Sequence, residues 1–387
     1  MHIIRRSLVA LATIAALLTS SNTFACTGIE LKSQDNVFIN GRTLEFGIPI
    51  DVNIMVIPRN FVFVGTLPDG TNGMSYTTKY AIVGGSLDNG TEVQDGLNET
   101  GLSVGTFYFP GYAGYAPVTD ANKANGVSPL QFPTWLLSQF STVDQIKAAL
   151  NTVSNASSNI VIVPTVFPAW GIVPPLHYVV YDKTGHSIVI EPINGKLVVY
   201  DNPLGVMANS PTFDWHMTNL RNYINLSPIN VSPVNVNGTD LQQFSQGSGM
   251  HGLPGDFTSP SRFVRAAFFT ATSLPQPNAK QEVLEAFHIL NQVDIPRGAV
   301  RNVENGKVAP EYTMFTVVKD PENLAYYYKS YQNQDISVVY LKSFDLGGTT
   351  IKVFNANAGQ TITDVSPKFV DEANPAGRPM TASLPQP

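Results

Sequence analysis

Two hydrophobic spacings divide the chain. The run Cys26-Thr27-Gly28-Ile29-Glu30-Leu31 reads as a strand, Ser33 to Asn36 as a turn, and Val37 to Asn40 as a second strand. This hairpin ends in Gly41-Arg42-Thr43-Leu44-Glu45-Phe46-Gly47. Arg42 and Glu45 stand three apart, so extended chain puts them on opposite faces, and they converge only if it bends near Gly41. His177 to Tyr181 and Ser187 to Glu191 flank Lys183-Thr184-Gly185, a hairpin signal, while Thr313 to Val318, Ala325 to Ser330 and Ser337 to Leu341 read as further strands. Helical spacing is rarer. Ser128 to Leu150 carries Leu130, Trp135, Leu136, Phe140, Val143, Ile146 and Leu150, interrupted by Pro133. Thr258 or Ser261 caps a helix through Ala271, with Pro260 in its first turn. Lys280 to Leu290 is another helix, with Val283, Leu284, Phe287 and Leu290 on one face. No repeat, low-complexity tract or interdomain linker breaks this pattern. One domain is expected over residues 26–371, with a loosely ordered Pro- and Ala-rich tail over 372–387.

Composition sharpens the picture. The 387 residues are 43% hydrophobic and 13% charged, enough for a large core, and 30 glycines with 28 prolines favour strands and turns. The net charge of −6 and the lack of a long basic run argue against a nucleic-acid partner. The N-terminus reads as a signal peptide over residues 1–25: Arg5 and Arg6, an apolar stretch from Leu8 to Leu18, then Thr23-Phe24-Ala25 as a small-x-small cleavage site. The apolar stretch is shorter than the ~20 residues that span a bilayer. The mature chain is therefore expected in the periplasm or outside the cell, without stable membrane insertion.

Cleavage after Ala25 leaves the only cysteine, Cys26, as the first mature residue. A free α-amine titrates at ~7.7–8.0 and serves as a base near neutral pH. A thiol needs such a base, or a nearby cation, to become a nucleophile. Two other readings compete at this point: a small buried hydrophobe, and a lipid-acylated anchor on a non-catalytic binding protein.

Further segments decide among them. Cys-Thr-Gly followed by Gly-Arg-Thr-Leu-Glu resembles the choloylglycine hydrolase family, N-terminal nucleophile hydrolases that include conjugated bile salt hydrolases and penicillin V acylases. Asp95-Gly96-Leu97-Asn98-Glu99-Thr100-Gly101-Leu102, Asn202 to Pro211, and Leu253-Pro254-Gly255-Asp256 with Ser259, Ser261, Arg262, Phe263 and Arg265 resemble its other segments, in order. The resemblance implies an α+β fold, the four-layer αββα sandwich. It implies Cys26 as nucleophile and Arg42 as the cation beside the thiol. Glu45 stands where many members carry Asp and would orient the α-amine. Asn209 would bind the oxyanion, and Arg262, rather than its neighbour Arg265, would be the second active-site arginine. Tyr108 matches a position that is Asn in many bile salt hydrolases and Tyr in penicillin V acylases, and its backbone N–H would be the second oxyanion donor. Homo-oligomers are implied by the same resemblance.

The implied reaction is hydrolysis of a linear amide with an apolar acyl group, of the penicillin V, N-acyl homoserine lactone or conjugated bile salt type. It needs no cofactor and no metal. Consistently, the six histidines (His2, His177, His186, His216, His251 and His288) show no metal-binding spacing. His216 and His251 lie near matched segments as alternative bases. Trp135, Trp170 and Trp215 read as core, while Tyr108, Phe109, Tyr112 and Tyr115 suit an apolar acyl pocket.

Overall fold

The structure, a computed structural model, describes residues 25–47, 50–88, 90–151, 160–304 and 306–369. The expected leader, apart from Ala25, and the expected tail over 372–387 lie outside the described residues.

Two large antiparallel sheets form the middle of the molecule. The first orders its strands Cys26–Lys32, Phe38–Phe46, Lys307–Asp320, Ala325–Ser330 and Ser337–Tyr340, with Val300–Glu304 pairing the far end of the long third strand. The second runs Lys196–Asp201, Ser187–Ile193, Leu176–Tyr181, Ser103–Tyr108, Asp95–Asn98, Ile82–Leu87, Val52–Ile57 and Lys352–Asn355. Between them Val52, Ile54, Val83 and Leu97 pack on Phe315, Val317, Tyr326 and Tyr328. Helices Ser259–Thr272 and Ala279–Leu290 cover the outer face of the first sheet, and Phe132–Gln139 and Val143–Asn151 that of the second. The middle strands of each sheet are thus buried on both faces, giving the expected four-layer αββα sandwich. This is why Cys26–Lys32 is buried at four consecutive positions, Cys26 to Ile29, and again at Leu31, instead of alternating strictly.

Local chemistry explains the boundaries. Pro133 does not interrupt its helix: it lies in the first turn of Phe132–Gln139, where a missing N–H costs nothing. The break comes instead at Phe140, which leaves the helix in extended conformation. The next helix starts at Val143, whose N–H donates to Asp182 Oδ2 at 2.9 Å, from the hairpin turn of the second sheet. Thr258 holds the cap position of Ser259–Thr272, but its hydroxyl turns to Asp256 Oδ1. In Ala279–Leu290, Val283, Phe287 and Leu290 are buried at i, i+4, i+7, whereas Leu284 is turned to solvent, one step off that stripe.

The second strand is the main departure from the sequence reading. It runs from Phe38 to Phe46 without bending at Gly41, in continuous register with the first: Ile29 faces Gly41 and Cys26 faces Leu44. Gly41 instead permits close packing, because a Cβ there would stand 2.7 Å from the Val317 carbonyl oxygen. Among the described residues no helix is long and apolar enough to cross a membrane.

Candidate active site

Cys26 opens the edge strand of the first sheet, and its neighbours follow from strand register. Because Cys26 faces Leu44, Arg42 lies on the same side of the sheet, toward the second sheet. Arg42 Nη2 donates to Cys26 Sγ at 2.8 Å, Nη1 to the Thr106 carbonyl at 2.7 Å and Nε to the Thr43 carbonyl at 3.1 Å. Its guanidinium lies 4.6 Å from the Phe107 ring centroid. Two backbone carbonyls and a ring face hold the charge at the sulfur. Gly28 makes this packing possible, since a Cβ there would stand 2.9 Å from the Phe107 ring.

The free side of the edge strand is closed by a short bridge: Gly28 and Met207 exchange hydrogen bonds of 2.8 and 3.0 Å. Two residues along each chain, Asn209 therefore comes opposite Cys26. Asn209 Oδ1 accepts from Cys26 N at 2.6 Å and from Arg262 Nη2 at 2.8 Å, while Nδ2 donates to the Tyr108 carbonyl at 2.8 Å.

Arg262 approaches from the helix layer. Its Nη1 donates to the Cys26 carbonyl and the Thr27 hydroxyl, both at 2.6 Å, and its Nε to the Phe257 carbonyl at 3.0 Å. Arg265 is turned away, to the Pro254 and Asp256 carbonyls at 2.8 and 2.5 Å. Of the two arginines, Arg262 is the one that reaches Cys26.

Glu45 sits on the helix-facing side of the strand, opposite in face to Arg42, so the two flank Cys26 through the sheet. Its Oε1 accepts from the Thr313 hydroxyl at 2.9 Å and its Oε2 has no hydrogen-bond partner. The acceptor at the Cys26 nitrogen is Asn209, not Glu45. The register explains this: Glu45 pairs with Ala25, its N–H donating to the Ala25 carbonyl at 2.9 Å, one residue short of Cys26.

Burial sets the electrostatics. It pushes the Cys26 thiol above its ordinary value; Arg42 is the strongest opposing influence, Glu45 adds to the rise and Arg262 counters it. Burial raises Glu45 to about 7 against the pull of Arg262 and the Thr313 hydroxyl. His216 is held at the Asn209 carbonyl, 2.8 Å from Nε2, stacked on Phe263 and lowered by burial to about 4, and His251 is exposed. Neither histidine hydrogen-bonds the thiol.

Beside the sulfur lies a small, mostly apolar cavity of about 30 Å³, lined by Leu44, Phe46, Tyr108, Leu130, Trp170 and Leu176, with Gln94 and Thr106 among its polar members. Of the four aromatics expected there, only Tyr108 takes part. Phe109 stacks on Tyr112 and His177, and the Tyr115 hydroxyl donates to the Pro174 carbonyl at 2.6 Å. Trp135 is core, Trp215 is exposed, and Trp170, half-buried with Nε1 donating to Asp88 at 3.0 Å, faces the cavity. Sequence reasoning missed Trp170, Thr313 and the acceptor role of Asn209, none of which carries a local signal.

A buried thiol against a fixed arginine thus stands at the start of an αββα sandwich. The profile of the linear amide C–N hydrolases, choloylglycine hydrolase family, matches residues 26–355. The bile salt hydrolase/transferase of Clostridium perfringens is 36% identical over 345 residues, 88% of this chain and 100% of that one. Penicillin V acylase of Pectobacterium atrosepticum is 25% identical over 373 residues, 90% of each chain. A crystal structure of a variant of the C. perfringens conjugated bile acid hydrolase superposes with a TM-score of 0.77 at 33% identity, covering 88% of this chain and 99% of that one. Penicillin V acylase from Agrobacterium tumefaciens, 23% identical with a TM-score of 0.67 over 85% and 91%, shares the fold. The chain belongs to the choloylglycine hydrolase family.

Proposed function

We propose that removal of residues 1–25 makes Cys26 an N-terminal nucleophile that hydrolyses linear amides with an apolar acyl group, in the periplasm or outside the cell. One observation carries this reading. A single residue presents its sulfur to a cation at 2.8 Å and its nitrogen to an amide oxygen at 2.6 Å. Once freed, that nitrogen is an amine whose pKa suits a base near neutrality. It takes the thiol proton, and the thiolate attacks the substrate carbonyl. Asn209 Nδ2 and the Tyr108 N–H receive the oxyanion. The amine then gives its proton to the leaving nitrogen as the C–N bond breaks. Water, deprotonated by the same amine, releases the acid from the thioester. Arg42 favours thiolate, Arg262 fixes Asn209 and the Cys26 carbonyl, and Glu45 offers the new ammonium its unpartnered oxygen. The apolar cavity favours the acyl side as the part recognised, as in penicillin V, N-acyl homoserine lactones or conjugated bile salts. The reading includes assembly into homo-oligomers, which light scattering tests.

The test compares three mass-verified forms on a panel of those amides: the chain beginning at Cys26, the chain retaining Ala25, and mature Cys26→Ser. The first is active. The second stays folded but nearly inactive, because an acylated nitrogen is no base. The third is strongly impaired, a hydroxyl being harder to ionise. Equal rates for the first two forms overturn the amine mechanism, and a diacylglycerol mass on Cys26 would favour a lipid-anchored binding protein.

A further inference from the structure

Behind Arg42, between the two sheets, lies a second charged pair. Lys319 Nζ, from the long strand of the first sheet, donates to both oxygens of Asp95 on the second, at 3.0 and 2.9 Å, and approaches the Val104 carbonyl at 3.4 Å. Both side chains are buried. Their position relative to the site follows from register. Asp95 faces Gly105 on the adjoining strand, next to Thr106, whose carbonyl anchors Arg42 Nη1. A Cβ on Gly105 would stand 3.2 Å from Asp95 Oδ2, so the carboxylate lies directly under that segment. Lys319 and Arg42 share one face of the first sheet, since Lys319 pairs with Asn40 and Val317 with Arg42.

The charges of this enclosed space do not balance without the thiol. Arg42 and Lys319 supply two positive charges and Asp95 one negative charge, so ionised Cys26 makes the total zero. Of the other groups facing it, Glu30 pairs with Asn40 and so shares the Arg42 face, but burial raises it to about 8 and keeps it protonated near neutral pH; the Tyr181 hydroxyl donates to the Gly205 carbonyl at 3.1 Å, and the Tyr326 phenol faces Asp95, both kept protonated by burial. Glu45 and Arg262 face Cys26 through the strand, of opposite sign. A carboxylate is the preferred partner of a guanidinium, which it can bind through two hydrogen bonds. Without Lys319, Asp95 would compete with the sulfur for Arg42. As a purely structural device an ion pair here has little to recommend it, because well-packed apolar residues of similar size stabilise a core as well or better.

We propose that Lys319 and Asp95 are positioning residues for the nucleophile: Lys319 occupies Asp95 and so leaves the Arg42 charge to the Cys26 thiolate. This rests on the functional reading above, which makes thiolate the reactive form.

The test is the pH dependence of iodoacetamide alkylation of the mature protein, its folding checked by circular dichroism. Lys319→Met raises the alkylation midpoint by about one unit, a tenfold loss of thiolate at a given pH below it. Asp95→Asn, which removes the competitor, leaves the midpoint unchanged or lower. The double variant Lys319→Met/Asp95→Asn, charge-free and similar in shape, returns it close to the parent's. A purely structural role gives no such reversal. The proposal is overturned if folded Lys319→Met keeps the parent midpoint, or if the double variant is shifted as far as Lys319→Met alone. Should Lys319→Met not fold, a raised midpoint in Asp95→Asn or in the double variant overturns it equally. Alkylation reads ionisation without turnover. A chain that alkylates as expected yet hydrolyses no amide therefore defeats the functional reading and not this one.

Discussion

Replacing Arg42 by methionine removes the charge while keeping an apolar stem against Phe107. The guanidinium stands 2.8 Å from Cys26 Sγ, and both groups are buried. At that separation the attraction between unit charges is about 1.5 kcal/mol for a water-like dielectric and about 6 kcal/mol for an effective value near 20. At about 1.4 kcal/mol per pKa unit, the thiol midpoint rises by about one to four units. The sign is unambiguous, because burial already pushes the thiol up and Arg42 is the largest influence holding it down. The pH profile of iodoacetamide alkylation, on mature protein verified to begin at Cys26, reads this directly, and the rising limb of kcat/KM moves with it. A folded Arg42→Met protein with an unmoved alkylation midpoint would refute the claim that this arginine activates the sulfur.

Asn209→Ala lowers kcat by roughly 10²–10³, the usual loss for one oxyanion donor. Because Asn209 Oδ1 also holds Cys26 N, the basic limb of the kcat profile moves as well; an unchanged kcat places the oxyanion donors elsewhere. Gly28→Ala forces a Cβ to within 2.9 Å of the Phe107 ring and 3.2 Å of the Tyr181 hydroxyl, destabilising by about 1–3 kcal/mol in chemical denaturation, and an unaltered midpoint counts against this packing. Stability also depends on pH. Burial raises Glu30 and Glu191 to about 8 and Glu45 to about 7, so each binds its proton more tightly folded than unfolded, and its contribution fades between about 4.5 and 8. His177 and His216, lowered by burial to about 3 and about 4, oppose this only below about 6.5. Stability therefore falls from pH 6.5 to 8, and Glu191→Gln flattens that slope; an equally steep slope in the variant removes Glu191 as a cause.

Much of the fold was legible because its signals are local. Val283, Phe287 and Leu290 mark a helix face by spacing alone, Lys183-Thr184-Gly185 marks a hairpin, and ordered segments behind Cys26 point to one family. Where sequence reading failed, partners came from distant chain. Leu284 and Trp215 look like core until neighbouring elements leave their side uncovered, and Gly41 looks like a bend until the Val317 carbonyl is brought against it.

The sequence by itself determined which groups were available: one cysteine beyond a leader-like segment, Arg42 and Glu45 three apart, Asn209 and Arg262 in matching segments. An extended chain with a two-residue period already put Arg42 and Glu45 on opposite faces. Only tertiary structure decided what each group touches. The register of Cys26 with Leu44, and the Gly28–Met207 bridge, bring residues separated by 16 and 183 positions within hydrogen-bond distance of Cys26. They give the nitrogen to Asn209 rather than Glu45, and they set Lys319 and Asp95 behind Arg42. The physical reason is that strand pairing and burial act through space. A contact between distant segments has no local spacing to announce it, and a buried group's charge depends on neighbours that the fold alone supplies.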